Sequence, residues 1–177
     1  QRVREAHRAA EILGARLIIH GLEDTMISHG PETINVISNV IAEVDPQIVY
    51  THTPNDAHQD HRSAHTATMI AARRVSRIYS YQAPSTTIDF RPARFVRIDD
   101  YMQAKLDAIA AHATQGARPY LTPELMHATA RYWGRFAGHG LVEPLEVARH
   151  TEVDAPTTRF TTTAEQTRAG RTKELVA

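Results

Sequence analysis

Residues 47–53, with the sequence QIVYTHT, form the stretch that decides the fold. The stretch begins as a nearly continuous apolar run, which is typical of a strand covered on both faces of a sheet. Pro54 ends the strand, because proline has no N–H to donate to a neighbouring strand. We therefore predict a buried strand that opens directly into a loop.

Helical patterns and further short strands alternate on both sides of this strand. The predicted helices are residues 2–13, 31–44, 58–74, 101–115 and 122–136, and the other predicted strands are residues 16–20, 77–81 and 141–147. This alternation predicts an α/β fold, with a Rossmann-like, mostly parallel sheet and flanking helices. Pro144 would restrict the last strand to an edge or a bulge. In such sheets ligands bind beyond the carboxyl ends of the strands.

The chain of 177 residues is long enough for one domain with its own core, which we assign to residues 1–150. From Thr151 onward the sequence is rich in threonine and poor in apolar residues. Such a segment buries too little surface to offset its ordering entropy, so residues 151–177 are predicted to be a disordered tail. Gln1 already lies inside a helical pattern, from which we expect that a preceding segment is missing.

Charge and composition exclude several classes of partner and site. Lys and Arg total 20, as do Asp and Glu, so there is no basic excess to bind a phosphate backbone and nucleic acid is not expected as a partner. The absence of cysteine leaves His, Asp and Glu as the strong metal ligands. No apolar run reaches the roughly 20 residues of a membrane span, and we expect a cytoplasmic protein. No pattern indicates the oligomeric state.

The loop after the first strand, residues 53–61 (TPNDAHQDH), concentrates groups that bind metals. It holds two aspartates and two histidines between a strand end and a helix start. Zinc favours imidazole and carboxylate ligands when thiols are absent. His58 and His61 are three residues apart and project to one side of a helical turn, and Asp60 between them can orient an imidazole.

Spacing alone leaves other interpretations of this loop open. Polar residues cluster at helix N-termini in any case, with Asp as a cap and His in solvent. His61 and His65 are an i, i+4 pair that can face one ion, but the Glu that follows the first histidine of a zincin is absent. His20 and His52, on predicted strands, are expected to be core or rim residues. The remaining histidines are expected at the surface: His7, His29, His127, His139 and His150.

The loop resembles the second signature of the LmbE-like (PIG-L) de-N-acetylases, a His-x-x-Asp-His stretch that leads from a strand into a helix. The resemblance extends over residues 2–149. The other segments that carry it are Arg2-x-x-Glu5 with Ala9, Leu13 and Gly14, then Gly21-Leu-Glu-Asp24, residues 105–115 (KLDAIAAHATQ), residues 130–134 (ARYWG) and residues 142–146 (VEPLE). An ordered set of motifs is much more specific than any one of them.

The resemblance implies zinc as the cofactor and hydrolysis of the acetamide of an N-acetylglucosamine-type sugar or glycoconjugate as the reaction. It implies that His61 is a zinc ligand and that His58 is a protonated imidazole that stabilises the oxyanion. Asp60 would orient His58. Arg2 and Asp24 would contact the sugar, which is a small-molecule or lipid-linked amino sugar.

The family's first signature, His-Pro-Asp-Asp-Glu after the first strand, does not occur in this chain. By the resemblance it supplies two zinc ligands and the general base, so we expect a first strand to be missing and the chain as given to be inactive. The alternative is a non-catalytic carbohydrate-binding or scaffold module of the same fold. A nucleotide-binding Rossmann protein is disfavoured, because no Gly-x-Gly-x-x-Gly follows any predicted strand.

Overall fold

The computed structural model describes residues 1–138 and 140–152. The helices in this part of the chain are α1 (Arg2–Leu13), α2 (Pro31–Val44), α3 (Gln59–Ala71), α4 (Met102–Ala110) and α5 (Pro123–Ala137). The strands are β1 (Ile48–His52), β2 (Arg77–Tyr81), β3 (Arg94–Arg97) and β4 (Val142–His150). Residues 153–177, nearly all of the predicted tail, lie outside the described residues.

The strands form one sheet in the order β1-β2-β4-β3. β1 and β2 are parallel, with Ile48 opposite Arg77 and His52 opposite Tyr81. β4 runs antiparallel to both of its neighbours. The predicted α/β architecture with flanking helices is confirmed. The sheet is mixed, however, and the expected parallel pairing holds for β1 and β2 alone among the described strands.

β4 lies inside the sheet, so the prediction of an edge strand was wrong. β4 does contain a register shift, but it lies opposite Ile78 and Tyr79 rather than at Pro144. Pro144 pairs with Phe95 of β3. On its other side β2 has already ended, because the last pairing between β2 and β4 joins Tyr81 to Leu145. The N–H that proline lacks therefore removes no bond to β2.

Residues 16–20 (RLIIH) are not a strand, contrary to the prediction from their composition. Ile18 and Ile19 are 39% and 50% exposed. A strand is stabilised by pairing with a neighbour, and no strand of the described part of the chain pairs with this segment. Its Arg16 instead forms an exposed ion pair with Glu43 of α2.

α1 and α5 end at the glycines that the sequence predicts as their C-terminal caps. Gly14 and Gly138 take the left-handed conformation that glycine adopts without steric strain, with φ of 62° and 70°. The predicted helix 101–115 is shorter, because α4 ends at Ala110 and a separate 3-10 turn follows. Glu5 fixes that turn, since its buried carboxylate accepts hydrogen bonds from the backbone N–H and the hydroxyl of Thr114.

The core is divided between two apolar clusters. One surrounds Ile78 of β2 and includes Val75 and Ala72 after α3, with Ile41 of α2 and Val49 of β1 packed against it. The other joins Ile98, Met102 and Ala130, which connects α4 to α5. Among the described residues, no helix combines the length and the apolar character that a bilayer span requires.

We predict that Ile78→Ala destabilises the protein by about 2–5 kcal/mol, because Ile78 is fully buried and its truncation leaves a cavity in the central sheet. Urea unfolding followed by circular dichroism measures the change. The matched control is Ile88→Ala, since Ile88 is 99% exposed and should change stability by less than about 0.5 kcal/mol. Equal effects in the two variants would contradict this description of the core.

Candidate active site

The site begins where β1 ends at His52 and is completed by the first turn of α3. The loop between them, residues 53–58, lies at the carboxyl end of the parallel pair β1 and β2. His58 is the N-cap of α3: its backbone is extended, and its Nδ1 accepts a hydrogen bond from the backbone N–H of Asp60 at 3.2 Å. This bond satisfies one of the free N–H groups at the helix start.

Asp56 is the buried anchor of the loop. Its side chain is fully buried, and its carboxylate lies 3.0 Å from Nδ1 of His61 and 2.8 Å from the backbone nitrogen of His58. Burial acts to raise the pKa of Asp56, but hydrogen bonds from Ser85, from the His58 backbone and from His61 outweigh it and lower the pKa below its usual value. Asp56 is therefore ionised and holds His61 through Nδ1, which leaves Nε2 of His61 free to bind a metal.

Three imidazole rings form a stack at this position. The ring of His61 lies between those of His52, with centroids 3.8 Å apart, and His58, with centroids 4.6 Å apart. Burial is the main cause that lowers the pKa of His52 to about 4, with the neighbouring imidazoles adding to it, so His52 is neutral. Its Nδ1 is buried and has no hydrogen-bond partner among the described residues.

The carboxylate of Asp60 holds a neighbouring loop rather than the ring of His58. It accepts hydrogen bonds from the backbone N–H groups of Thr25, at 2.6 Å, and Ile27, at 3.2 Å. The side chain of Gln59 also donates to the carbonyl oxygen of Thr25. Thr25 has φ of 69°, a left-handed conformation that is unfavourable for a β-branched residue. Contacts from the start of α3 thus stabilise a strained turn.

That turn carries Asp24 to the site. Asp24 pairs with Arg2 of α1 at 3.3 Å, and both side chains are well exposed. Carboxylate oxygens of Asp24 and Asp60 and a ring nitrogen of His58 lie within 4.8 Å of one another. The structure therefore brings together all five residues that the sequence analysis selected: Arg2, Asp24, His58, Asp60 and His61.

His65 lies apart from this group. Its Nδ1 is 2.8 Å from the carbonyl oxygen of His52 and 3.4 Å from the hydroxyl of Ser80, so its ring connects α3 to the ends of β1 and β2. It belongs to neither of the potential metal clusters found among the described residues. The geometry disfavours an ion shared by His61 and His65.

Two further segments form hydrogen bonds to the loop of residues 53–58. Glu146 of β4 accepts hydrogen bonds from Thr53 and Asn55. The backbone of the segment after β2 bonds to the loop through Ala57 N–H and Ser85 C=O at 2.9 Å, and the hydroxyl of Ser85 lies 3.2 Å from Nδ1 of His61. The loop is therefore bonded to β4 and to the segment after β2 as well as to α3.

Two groups of side chains have the composition of a metal site. His52, Asp56 and His61 offer ligand atoms within 4.8 Å of one another, and the second group is Asp24, His58 and Asp60. The first group fits an ion better, because it contains an imidazole nitrogen, Nδ1 of His52, that has no partner among the described residues. The carboxylates do not distinguish the groups, since both oxygens of Asp56 and both oxygens of Asp60 already have hydrogen-bond partners.

His52 and Asp56 were not among the site residues predicted from the sequence. His52 was expected to be a core or rim residue, and Asp56 was only one of the aspartates of the loop. A positional signal was present, because His52 is the last residue of a strand whose carboxyl end faces the site. The burial of Asp56 has no signal in the sequence, since it depends on Ser85 and Thr86 of another segment.

Comparisons with known proteins identify a family match and relatives of this chain. Residues 1–72 match the family model of PIG-L, described as GlcNAc-PI de-N-acetylase, and this segment contains every site residue named above apart from the supporting side chains that follow α3. The chain is 33% identical over 118 residues to the uncharacterized deacetylase YaiS of Escherichia coli, covering 61% of this chain. It is 31% identical over 163 residues to the diacetylchitobiose deacetylase of Thermococcus kodakarensis, covering 81% of this chain.

Solved structures share the fold. The conserved protein TT1542 of Thermus thermophilus superposes with a TM-score of 0.75 at 23% identity, over 89% of this chain and 76% of that one. GalB, the 4-carboxy-2-hydroxymuconate hydratase of Pseudomonas putida, superposes with a TM-score of 0.70 at 22% identity, over 85% and 73%. One of these relatives is a hydratase, so the likeness of fold does not specify the reaction.

The chain spans 63% of the length of YaiS and 61% of that of the Thermococcus deacetylase. Residues 1–72 therefore match the PIG-L (LmbE-like) de-N-acetylase family, and the chain is similar in sequence to two deacetylases.

Proposed function

We propose that this chain contributes to a metal-dependent de-N-acetylase that removes the acetyl group from an N-acetylglucosamine-type sugar. The single observation that carries the proposal is the arrangement of His61, held at Nδ1 by buried Asp56, beside the parallel ring of His58. One ring can bind a metal while its neighbour faces the same space. The sugar class is supported by the Thermococcus relative, which is named for diacetylchitobiose.

His61 is the residue we assign to the metal. Its Nδ1 faces Asp56, so Nε2 is the atom that would bind zinc, and the carboxylate would fix the ring and raise its basicity. His52, neutral and with an unpartnered Nδ1, is the second candidate ligand. Bound zinc would polarise the acetamide carbonyl and lower the pKa of a water molecule.

His58 is the residue we assign to stabilisation of the oxyanion. The resemblance implies a protonated ring, but Nδ1 accepts a hydrogen bond from the backbone N–H of Asp60, which requires a lone pair on that nitrogen. The proton of the neutral ring then lies on Nε2, and this N–H is free to donate to the carbonyl oxygen of the substrate as negative charge develops. A donor fixed before the reaction lowers the barrier without reorganisation.

The exposed ion pair of Arg2 and Asp24 is the part that we assign to the sugar. Both side chains are more than half exposed, so their ion pair contributes little to stability. A bound sugar can therefore replace the ion pair with hydrogen bonds from its own hydroxyl groups at little cost in free energy. Asp24 approaches the ring of His58, so sugar contacts at Asp24 would lie next to the reacting acetamide. We assign Asp60 a positioning role, because its carboxylate holds the turn that carries Asp24.

The groups found here do not complete a catalytic zinc site, which uses three protein ligands and a base. His-Pro-Asp-Asp-Glu, which the resemblance assigns to two ligands and the base, is not in this sequence. We therefore expect the 177-residue polypeptide to bind zinc weakly and to hydrolyse little. A cytoplasmic location remains a prediction.

Acetate release tests the function directly. The product of the complete gene that encodes this chain, loaded with zinc, should release acetate from N,N'-diacetylchitobiose or from methyl N-acetylglucosaminide, and a chelator should abolish the release. The absence of acetate from the zinc-loaded protein would refute the proposal. Calorimetric binding of the same sugars without zinc would then support the carbohydrate-binding alternative.

We predict that alanine variants of the two histidines differ in zinc content. His61→Ala should lose the metal, whereas His58→Ala should keep it and lower turnover by about 10²–10³-fold, the usual loss for a missing oxyanion donor. Asp56→Asn should weaken zinc affinity about 10–100-fold, because the carboxylate orients the ligand. Zinc content by atomic emission, together with acetate release, measures both effects.

His7→Ala is the control for these variants, since His7 is exposed on α1 and belongs to neither group of candidate metal ligands. It should retain both zinc and turnover. Equal zinc retention in His58→Ala and His61→Ala would refute the assignment of their roles.

We also predict that Asp60→Asn loosens the turn at Thr25. The amide that replaces the carboxylate presents one donor to two backbone N–H groups, so one of them loses its acceptor. Loss of a hydrogen bond to a charged group, about 1.5–3 kcal/mol, corresponds to roughly 10–100-fold faster hydrogen exchange at Thr25 and Ile27. Native-state hydrogen exchange followed by NMR measures it.

Glu23→Gln makes the same chemical change at an exposed position of the same loop and should leave exchange at Thr25 and Ile27 unaltered. If Asp60 acts on the ring of His58 instead, Asp60→Asn will change the NMR shifts of the His58 imidazole nitrogens, and the N–H groups of Thr25 and Ile27 will stay protected from exchange.

A further inference from the structure

A second cavity lies close to the candidate active site. Its volume is about 350 Å³, within the range of small-molecule sites. Apolar side chains of α4, α5 and the 3-10 turn before α5 form most of its wall, among them Ile109, Leu121, Leu125 and Met126. None of the five residues predicted for the site lines it.

One segment separates this cavity from the active site. Thr86 lines the cavity, and its hydroxyl lies 3.5 Å from the carboxylate of Asp56. The neighbouring Ser85 lies 3.2 Å from His61 through its hydroxyl. The backbone of this segment is bonded to the active-site loop at Ala57 and at Asn55. Residues 85–86 thus contact the active-site loop on one side, and Thr86 lines the apolar cavity on the other.

The cavity also lies at the same end of the sheet as the site. Val142, Glu143 and Pro144 of β4 line it, and they come before Leu145, which pairs with Tyr81 at the carboxyl end of β2. The histidines lie beyond the carboxyl end of the adjacent, parallel β1. The larger cavity of about 920 Å³ is lined by Gln47 and Arg77, at the opposite ends of these strands.

The charged side chains of the cavity neutralise each other. Lys105 and Glu143 form an ion pair there, and each is 32% exposed. The side-chain oxygen of Gln82, which lines the cavity, already accepts a hydrogen bond from the indole N–H of Trp133. The cavity therefore presents no unbalanced charge to an occupant, and an uncharged apolar group fits it best.

We propose that this cavity binds an alkyl or aryl group attached to the amino sugar whose acetamide lies at His58 and His61. The inference rests on the proposed function, because the sugar must first occupy the site on the other side of residues 85–86. It assigns selection of the aglycone to the surface formed by α4 and α5.

A pair of ligands tests the proposal. Calorimetry on the zinc-loaded product of the complete gene compares hexyl and methyl β-glycosides of N-acetylglucosamine, which differ by five methylene groups. The hexyl glycoside should bind at least about tenfold more tightly, since each buried methylene contributes to affinity. The hexyl glycoside should also shift the NMR methyl resonance of Met126, one of the four methionines, and the methyl glycoside should not.

Leu125→Gln should lower the preference for the hexyl glycoside several-fold. Leu125 is 43% exposed, so a polar substitute is compatible with folding. Ile70→Gln is the matched control: Ile70 on α3 is 45% exposed and lies outside the cavity, and the preference should persist. Equal affinities for the two glycosides, an unmoved Met126 resonance, or a preference retained in Leu125→Gln would each overturn the proposal.

The two proposals fail in different ways. If the methyl glycoside releases acetate but the hexyl glycoside shows no added affinity, the cavity proposal fails and the deacetylase proposal stands. If neither glycoside releases acetate but the hexyl glycoside binds more tightly and shifts Met126, the deacetylase proposal fails while the cavity is shown to bind an apolar group.

Discussion

The site depends on one buried carboxylate, that of Asp56. It has no exposed side-chain surface, and it contacts both histidines of the motif: His61 through the ring and His58 through the backbone. A charge in this position is tolerated because hydrogen bonds compensate its desolvation, and the same bonds hold its pKa low. These contacts hold the loop between β1 and α3 with the rings of His58 and His61 stacked at an interplanar angle of 19°.

The surrounding sheet explains why this loop can be so short. β1 and β2 end side by side, so the segments that follow them meet at the same edge. Ser85 and Thr86, which follow β2, supply contacts that the loop after β1 cannot make alone. Glu146 of β4 completes the support from the next strand, through Thr53 and Asn55. Each contact spans a large separation in sequence, so folding of the whole sheet is required before the site exists.

Local features of the sequence predicted the parts of the fold that depend on local physics. The apolar run of residues 47–53 gives β1, and Gly14 and Gly138 end helices as their conformational freedom predicts. Residues 16–20 have an equally strong strand composition but no strand, since strand formation depends on a neighbour rather than on composition. Pro144 was misjudged for the same reason, because only the register shows that β2 has ended beside it.

The same distinction between local and long-range contacts applies to the candidate site. His58, Asp60 and His61 share one helical turn, so their spacing alone predicted that they converge. The resemblance to a family added Arg2 and Asp24, which are remote in sequence and meet near His58 in the structure. His52 and Asp56 were missed, because a histidine at a strand end and an aspartate in a loop are ordinary until their neighbours from other strands are known.

The N-cap of α3 shows how secondary structure and chemistry are joined here. Serine, threonine, aspartate and asparagine are the preferred caps, and each gives about 0.5–2 kcal/mol relative to alanine. This chain uses His58 instead. A histidine cap does what the preferred caps cannot: because Nδ1 accepts the backbone N–H of Asp60, the neutral ring carries its proton on Nε2. Local preferences are broken most often at functional sites, so the histidine cap is consistent with the proposed role of His58.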